Sequence, residues 1–300
     1  MNRALVGVDW GTTTLRVARI DAAGNAIEER SLPHGILSVA PGGFPAALAD
    51  ACGDWLRGNA LVLVCGMAGS QQGWVEAPYC ACPAGFADIV ARLHWVEPGR
   101  IAIVPGMSCE HSGVPDVMRG EETQVFGALS LLGTQDATLV LPGTHSKWVR
   151  ARAGRIEAFS TFMTGEVFAL LRNHSILART MTANMQDDVF DEPAFDEGVQ
   201  HALRIGNLLA TAFSVRTRAL FERIAPAAAP SYLSGLVIGE ELRSQQLDAS
   251  THAVVIVANP GLARRYEVGL RLLGVRARST GSQATWRGLA TIGHALENSP

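Results

Sequence analysis

Short apolar stretches and longer stretches of helical periodicity alternate along the 300-residue chain. The stretch Ala60 to Cys65 is wholly apolar, as in a central strand that is covered on both faces. Phe44, Leu48 and Cys52 recur at helical spacing and predict a helix near 44–57. The same patterns predict further strands at 4–9, 15–20, 26–31, 101–104, 138–141, 147–152, 155–160 and 253–257, and further helices at 86–94, 120–132, 165–177, 195–223, 232–247, 261–273 and 285–296.

The order of the predicted elements repeats. An apolar strand, a tight polar loop and a hairpin open the first half of the chain, and the same order returns from residue 138. The two halves have diverged in sequence, so this inference rests on element order alone. We expect an α/β protein of two lobes, 1–134 and 135–300, with both polar loops at a shared cleft, where ligands usually bind.

The first polar loop follows the strand that ends at Asp9. A carboxylate in this position can hold a hydrated Mg²⁺. Gly11 lets the backbone approach a ligand closely, and Thr12 and Thr13 add hydroxyls and backbone N–H groups suited to phosphate oxygens. An ordinary threonine-rich hairpin turn is the alternative interpretation.

The second polar loop runs from Pro142 to Lys147 and contains Gly143, Thr144, His145 and Ser146. Lys147 is the single lysine among 25 basic residues. A compact ammonium can approach a phosphate where a guanidinium would not fit, although an arginine-rich coding bias would also leave one lysine. The hydroxyls of Thr144 and Ser146 could contact phosphate or cap the turn.

Composition narrows the class of partner. The net charge of −3 and the lack of a basic run argue against nucleic acid. Neither an apolar run of ~18 residues nor a signal pattern occurs in the sequence, so we expect no membrane partner and a cytoplasmic location. The oligomeric state stays open, with a homodimer among the alternatives.

Several longer motifs resemble one known family. The two loops look like the phosphate loops of the actin/hexokinase/Hsp70 ATPase superfamily. The segments 66–79, 118–127, 141–148 and 162–166 resemble the 2-dehydro-3-deoxygalactonokinase family, and the similarity runs from Val8 to about Gly288. This resemblance implies two ribonuclease H-like lobes. It also implies a kinase that uses MgATP to phosphorylate the 6-hydroxyl of 2-dehydro-3-deoxygalactonate in galactonate catabolism.

The resemblance suggests roles for individual residues. Asp9 would hold Mg²⁺, Gly11, Thr12 and Thr13 would contact phosphate from the first lobe, and Gly143, Thr144 and Ser146 from the second. Lys147 would supply positive charge at the transferred phosphate. Glu121 and Glu122 are candidates for the base that the sugar hydroxyl requires, with Glu121 preferred, although acidic residues also suit the first turn of any helix.

The sugar acid needs an arginine or N–H groups for its carboxylate, and Arg119 is the best candidate. Further substrate candidates, most of which could also have structural roles in the core, a loop or a helix cap, are Ser70, Gln71, Trp74, Glu76, His145, Thr164 and Glu166. The segment Asn259, Pro260 and Gly261 resembles the turn that receives adenosine, or is simply a strand end before a helix.

The sequence leaves two other functions open. An exopolyphosphatase-like phosphohydrolase would share both loops and the Glu121–Glu122 pair, but would need a basic channel that the charge balance does not suggest. A non-catalytic sugar-acid sensor on a kinase scaffold would normally carry a DNA-binding helix-turn-helix, for which we see no room before the first strand.

Overall fold

The computed structural model describes residues 3–182, 189–247, 251 and 253–297. Its strands are β1 Leu5–Trp10, β2 Leu15–Ile20, β3 Ala26–Leu32, β4 Leu61–Gly66, β5 Tyr79–Ala81, β6 Ala84–Gly85, β7 His94–Glu97, β8 Ile101–Ile103, β9 Gly106–His111, β10 Val114–Met118, β11 Ala137–Leu141, β12 Ser146–Arg152, β13 Arg155–Phe162, β14 Val254–Val257 and β15 Ala277–Thr280. Its α-helices are α1 Phe44–Cys52, α2 Phe86–Ala91, α3 Glu121–Leu132, α4 Thr164–His174, α5 Glu192–Ile205, α6 Leu208–Thr211, α7 Ser214–Leu220, α8 Ala229–Ser244, α9 Pro260–Leu272 and α10 Gln283–Glu297.

The strands form three sheets. One six-stranded sheet has the order β3-β2-β1-β4-β8-β7, a second has the order β15-β14-β11-β12-β13-β6, and a three-stranded sheet has the order β10-β9-β5. β1 pairs antiparallel with β2 and parallel with β4. Every residue of β4 is buried, which confirms the fully covered central strand predicted from its apolar sequence.

The chain divides into two compact units. Unit 1 comprises Met1–Leu139, Val149–Ser160 and Thr280–Pro300, and unit 2 comprises Val140–Trp148 and Thr161–Ser279. The predicted lobes meet at one boundary, between residues 134 and 135. In the structure, α10 lies after that boundary in sequence but belongs to unit 1. The reason lies in two glycines at its contact with α3. A Cβ on Gly127 would overlap the carbonyl of Ala284, and one on Gly288 would overlap the carbonyl of Thr123, so the two helices approach closely.

Each unit has its own core. In unit 1 the core packs around Trp10. The centre of its ring lies 5.1 Å from the ring centre of Phe44 and 6.3 Å from that of Trp74. In unit 2 one apolar cluster surrounds Trp148 and Tyr266 and a second surrounds Tyr232.

Several sequence predictions of secondary structure were wrong or incomplete; β5, β6, β7 and β15 were not predicted, and β7 begins at the end of the helix predicted at 86–94. The helix predicted at 195–223 is broken, because Gly206 and Asn207 adopt φ angles of 66° and 59° and end α5. The β9–β10 hairpin was not predicted; it turns through Ser112 and Gly113, both with positive φ.

Candidate active site

The first polar loop is held in place by its neighbours in unit 1. The N–H of Gly11 donates to the carbonyl of Thr14 at 2.8 Å, and the N–H of Ile36 donates to the carbonyl of Gly11 at 3.0 Å. A Cβ on Gly35 would overlap the backbone of Thr12. The side chains of residues 12–14 are exposed. The loop therefore has a fixed backbone and presents its hydroxyls to solvent.

Asp9 lies at the carboxyl end of β1, opposite Arg16 in β2 and Cys65 in β4. One carboxylate oxygen forms an ion pair with the Arg16 guanidinium, which also lies 3.4 Å from the hydroxyl of Thr285. The Asp9 side chain is 18% exposed, so this carboxylate is anchored by one oxygen and still reaches solvent. The sequence reasoning missed Arg16, although its register opposite Asp9 follows from the hairpin.

Two glycines bring the start of α3 to the same edge of the sheet. Gly66 and Gly120 have φ angles of 89° and 105°, which side chains disfavour. A Cβ on Gly66 would lie 2.8 Å from the carbonyl oxygen of Trp10 and 3.3 Å from Oδ1 of Asp9. A Cβ on Gly120 would lie 3.0 Å from the Cα of Gly66. The glutamates that follow Gly120 are therefore close to the end of β1.

The two candidate bases have different environments. Glu122 is fully buried; its carboxyl accepts hydrogen bonds from the N–H of Gly120 at 2.7 Å and the hydroxyl of Thr123 at 3.1 Å. Burial, and next the nearby Glu121, raise the pKa of Glu122 to about 8. Glu121 is half-buried and accepts from the N–H of Arg119 at 2.9 Å.

Arg119 is a buried cation with unused hydrogen-bonding capacity. Its side chain is 8% exposed, Nη2 donates to the carbonyl of Ala77 at 2.8 Å, and the guanidinium lies 4.3 Å from the centre of the Tyr79 ring. Among the described residues, Nε and Nη1 of Arg119 are buried nitrogens that have no hydrogen-bond partner. Unpartnered buried donors are costly, so this arginine is suited to an anion that the protein itself does not supply.

The loop after β4 holds the other sugar candidates of unit 1. The Ser70 hydroxyl donates to the carbonyl of Met67 at 2.7 Å, and Gln71 and Glu76 are exposed. Trp74 is half-buried and stacks on Phe44 at 6.1 Å, so it packs against the core while keeping part of its ring exposed.

The second polar loop in unit 2 rests on the start of α4. The N–H of Glu166 donates to the carbonyl of Thr144 at 3.0 Å, and a Cβ on Gly165 would overlap the carbonyl of Gly143. Nε2 of His145 lies 2.6 Å from the carboxylate of Glu166, with both side chains substantially exposed. The structure thus brings together three residues that the sequence analysis named separately: Thr144, His145 and Glu166.

The last two residues of the predicted loop, Ser146 and Lys147, are the first two of β12, and both are buried. The hydroxyl of Ser146 is buried and lies 3.0 Å from that of Tyr266, so it serves the internal network of the protein. Nζ of Lys147 donates to the hydroxyl of Thr161 at 2.8 Å, and the side chain is 6% exposed.

A cavity of about 300 Å³ lies beside the second loop, at the lower end of the usual range for ligand pockets. We call it the second-loop pocket; it is lined by Pro142, Gly143, Thr164, Gly165, Phe168, Ser234, Val237, Ile238, Leu262, Arg265 and Tyr266. Asn259 caps α9 by accepting from the N–H of Leu262 at 3.0 Å. Pro260 and Gly261 follow in the first turn of that helix. These three residues thus position a helix whose Leu262 and Arg265 form one wall of the pocket.

The donor set suits a weakly held magnesium ion. Within the described part of the chain, no group of three or more His, Cys, Asp or Glu side chains is arranged around a metal site. Mg²⁺ usually keeps several waters and binds through one or two carboxylates plus substrate phosphates. The single carboxylate of Asp9, with one oxygen committed to Arg16, fits such a site. Within the same residues, no helix has the length and apolar character needed to cross a bilayer.

Comparison with known proteins identifies the family. A family model described as 2-keto-3-deoxy-galactonokinase matches residues 9–292. The chain belongs to this family. It is 34% identical over 300 residues to the 2-dehydro-3-deoxygalactonokinase of Escherichia coli (strain K12), covering 99% of this chain and 100% of that one.

Solved structures are similar to this chain over nearly its whole length. A crystal structure of a Sinorhizobium meliloti protein, provisionally assigned as a 2-dehydro-3-deoxygalactonokinase, has a TM-score of 0.89 at 35% identity, covering 98% of this chain and 100% of that one. Component A of the (R)-2-hydroxyglutaryl-CoA dehydratase of Acidaminococcus fermentans has a TM-score of 0.52 at 13% identity, covering 98% and 97%, and so shares the fold. The predicted family, and the predicted α/β fold of the actin/hexokinase type, are confirmed.

Proposed function

We propose that this kinase-family chain transfers the γ-phosphoryl group of ATP to the 6-hydroxyl of 2-dehydro-3-deoxygalactonate. The observation that carries the proposal is the family match, which spans both polar loops and α3. The name of the Escherichia coli relative supports the same substrate. In the reaction, the hydroxyl oxygen bonds to the γ-phosphorus, the bond from that phosphorus to the β–γ bridging oxygen breaks, and ADP leaves.

Asp9 and the first loop bind phosphate in this proposal. Gly11, Thr12 and Thr13 present N–H groups and hydroxyls on a backbone that the neighbouring segment fixes, which favours positioning over flexibility. Asp9 would hold Mg²⁺, which when bound neutralises developing phosphate charge. The ion pair with Arg16 keeps the carboxylate oriented before the nucleotide binds.

Glu121 is the proposed base for the sugar hydroxyl. A base must be ionised and within reach of the proton that it accepts. Glu122 is fully buried and, with a pKa of about 8, mostly protonated at neutral pH, so it is poorly suited to this step. Glu121 is half-buried at the start of the same helix. It therefore accepts the proton from the 6-hydroxyl, and Glu122 has a structural role.

Arg119 is the proposed partner of the sugar-acid carboxylate. Its unpartnered Nε and Nη1 each carry N–H groups that could donate a charge-assisted hydrogen bond to a carboxylate oxygen. Ser70, Gln71, Trp74 and Glu76 form the polar loop that would contact the sugar hydroxyls. Both nitrogens are buried, so a local movement of this loop would accompany binding.

The residues of unit 2 bind the nucleotide in this proposal. The second-loop pocket takes the adenosine, with Asn259, Pro260 and Gly261 shaping its α9 wall. Gly143, Thr144 and the backbone of Ser146 contact phosphate, and Lys147 supplies charge. His145 of this loop pairs with Glu166, and Thr164 precedes Glu166 at the start of α4, so these residues help to order the loop. A cytoplasmic location would give this site access to cellular ATP.

The test is ADP formation with MgATP in the presence of 2-dehydro-3-deoxygalactonate, its gluconate epimer, or no sugar acid. We expect turnover that depends on the galactonate compound. Equal rates on both epimers would retain the kinase chemistry and broaden the substrate. Turnover that needs no sugar acid, or phosphate release from polyphosphate instead, would contradict the proposal.

A further inference from the structure

Glu241 on α8 is a buried carboxylate that binds donors from several other elements of unit 2. Its side chain is 2% exposed. Oε1 accepts from the indole N–H of Trp148 in β12 at 2.7 Å, and Oε2 accepts from the hydroxyl of Thr164 at the start of α4. The hydroxyl of Tyr266 in α9 lies 2.8 Å from Oε2 and 3.0 Å from Oε1.

The hydrogen bonds around Glu241 have a definite direction. The indole N–H can only donate, so Oε1 must act as an acceptor. If Tyr266 donates its single hydroxyl proton to Glu241, its oxygen can accept from the hydroxyl of Ser146, 3.0 Å away. The result is a directed chain from Ser146 through Tyr266 to the carboxylate.

The elements joined by this chain of hydrogen bonds are those around the proposed nucleotide site. Ser146 lies in the second polar loop at the start of β12, and Thr164 and Tyr266 line the second-loop pocket. A Cβ on Gly165, next to Thr164, would overlap the carbonyl of Gly143 in the loop. Movement of the Glu241 carboxylate would therefore displace the loop and two walls of the pocket.

We propose that Glu241 is the positioning residue of the nucleotide site, which holds the second polar loop in place against the pocket walls. Glu241 itself touches no reacting atom in this scheme and acts through Tyr266, Thr164 and Ser146. The proposal rests on the proposed function, because it takes the second-loop pocket to be the nucleotide site.

The chemistry of Glu241 supports a positioning role. Burial raises the pKa of the Glu241 carboxyl, against the opposing effect of the hydrogen bonds from Thr164, Trp148 and Tyr266. An apolar side chain would fill such a position at lower desolvation cost. A fully hydrogen-bonded polar network instead fixes the relative positions of the groups that it joins.

The main variant is Tyr266→Phe, which keeps the buried ring and removes the hydroxyl through which Tyr266 contacts both Ser146 and Glu241. Its matched control is Tyr232→Phe in the same unit. Tyr232 is also fully buried, and its hydroxyl lies 2.7 Å from Nδ1 of His201 and 2.9 Å from the hydroxyl of Ser214, away from the second-loop pocket. Both variants lose a buried, hydrogen-bonded hydroxyl, so the melting temperature reports the general loss of stability in each.

The measurements are ADP affinity by calorimetry, the KM values for ATP and for the sugar acid, and the melting temperature. We expect Tyr266→Phe to weaken ADP binding and raise the KM for ATP by about tenfold, since a buried hydrogen bond that positions the pocket wall is lost. The KM for the sugar acid should change less than about twofold. Tyr232→Phe should leave both KM values unchanged. Equal effects of the two variants, or equal changes in both KM values of Tyr266→Phe, would overturn the proposal.

Glu241→Gln is the second variant. Its amide oxygen can still accept from Trp148, but its NH₂ group must donate toward Thr164 or Tyr266. The hydrogen bonds that run from Ser146 through Tyr266 to residue 241 would then have to reverse their direction. We expect a raised KM for ATP here as well, with the fold retained. An unchanged KM for ATP would contradict the proposal.

ADP binding and phosphate transfer by the unmodified protein distinguish failure of the proposed function from failure of the proposed role of Glu241. If it binds ADP but transfers no phosphate to the sugar acid, the proposed function fails, and the ADP affinity of Tyr266→Phe still decides the role of Glu241. If it binds no ADP, both proposals fail.

Discussion

Replacing Glu122 by glutamine should change how the stability of the protein depends on pH. Burial and the nearby Glu121 raise the pKa of the folded carboxyl to about 8, from an ordinary value of 4.5. The folded state therefore holds a proton that the unfolded chain releases. The stability that this group contributes is fully present below pH 4.5 and is lost as the pH rises to about 8.

The magnitude follows from the two pKa values. Each pKa unit corresponds to about 1.36 kcal/mol, and integration of the linkage relation between pH 5 and pH 8 gives a loss of roughly 3 to 4 kcal/mol for this one group. Glutamine has no such proton to lose. Its amide oxygen can accept from Gly120 and its NH₂ group can donate to the Thr123 hydroxyl, so the two hydrogen bonds of Glu122 are retained.

The assay is urea unfolding of the wild type and Glu122→Gln at pH 5, 6, 7 and 8. The variant should be close to the wild type at pH 5 and more stable than it at pH 8, with the difference growing by roughly 3 to 4 kcal/mol. Glu110→Gln, an exposed carboxylate in the same unit, is the control and should follow the wild type at every pH.

A constant difference between Glu122→Gln and the wild type across this range would refute the reasoning. It would mean that Glu122 is ionised in the folded protein at neutral pH. Glu122 would then be as well suited as Glu121 to act as the base.

Three further predictions concern the proposed reaction. Asp9→Asn should lower kcat/KM by about 10- to 100-fold, with partial recovery at high Mg²⁺; an unchanged dependence on Mg²⁺ would argue against Asp9 as its ligand. Glu121→Gln should lower kcat by about 100-fold or more while ADP affinity stays constant, and a normal kcat would exclude it as the base. Gly165→Ala places a Cβ against the carbonyl of Gly143 and should weaken ATP binding about tenfold, whereas Gly281→Ala, with open space around it, should be neutral. Similar ATP binding by the two alanine variants would show that the loop tolerates displacement.

The sequence predicted the local features of the site well, because they depend on neighbouring residues. The apolar run 60–65 became the buried strand β4, and the hairpin after Asp9 formed with the expected turn. The motifs around Met118 to Gly127 and Leu141 to Trp148 were long enough to indicate the family, which the comparisons confirm.

Local patterns failed where backbone angles or distant contacts decided the structure. Gly206 and Asn207 end α5 inside a continuous helical pattern, since two successive positive φ angles interrupt a helix whatever its periodicity. The grouping of α10 with unit 1 depends on the close approach of Gly127 and Gly288 to their neighbours, which no spacing reveals.

The sequence by itself determined which residue types were available to the site: the carboxylate of Asp9, two glycine- and hydroxyl-containing loops, the adjacent glutamates and a single lysine. Only the tertiary structure decided their environments. It buried Glu122 and left Glu121 half-buried, and it turned the hydroxyl of Ser146 toward Tyr266. It also placed Glu241, distant in sequence, at the centre of that network. The physical reason is that desolvation and hydrogen bonding depend on contacts between distant segments, and these determine whether a carboxylate is ionised, reachable or structural.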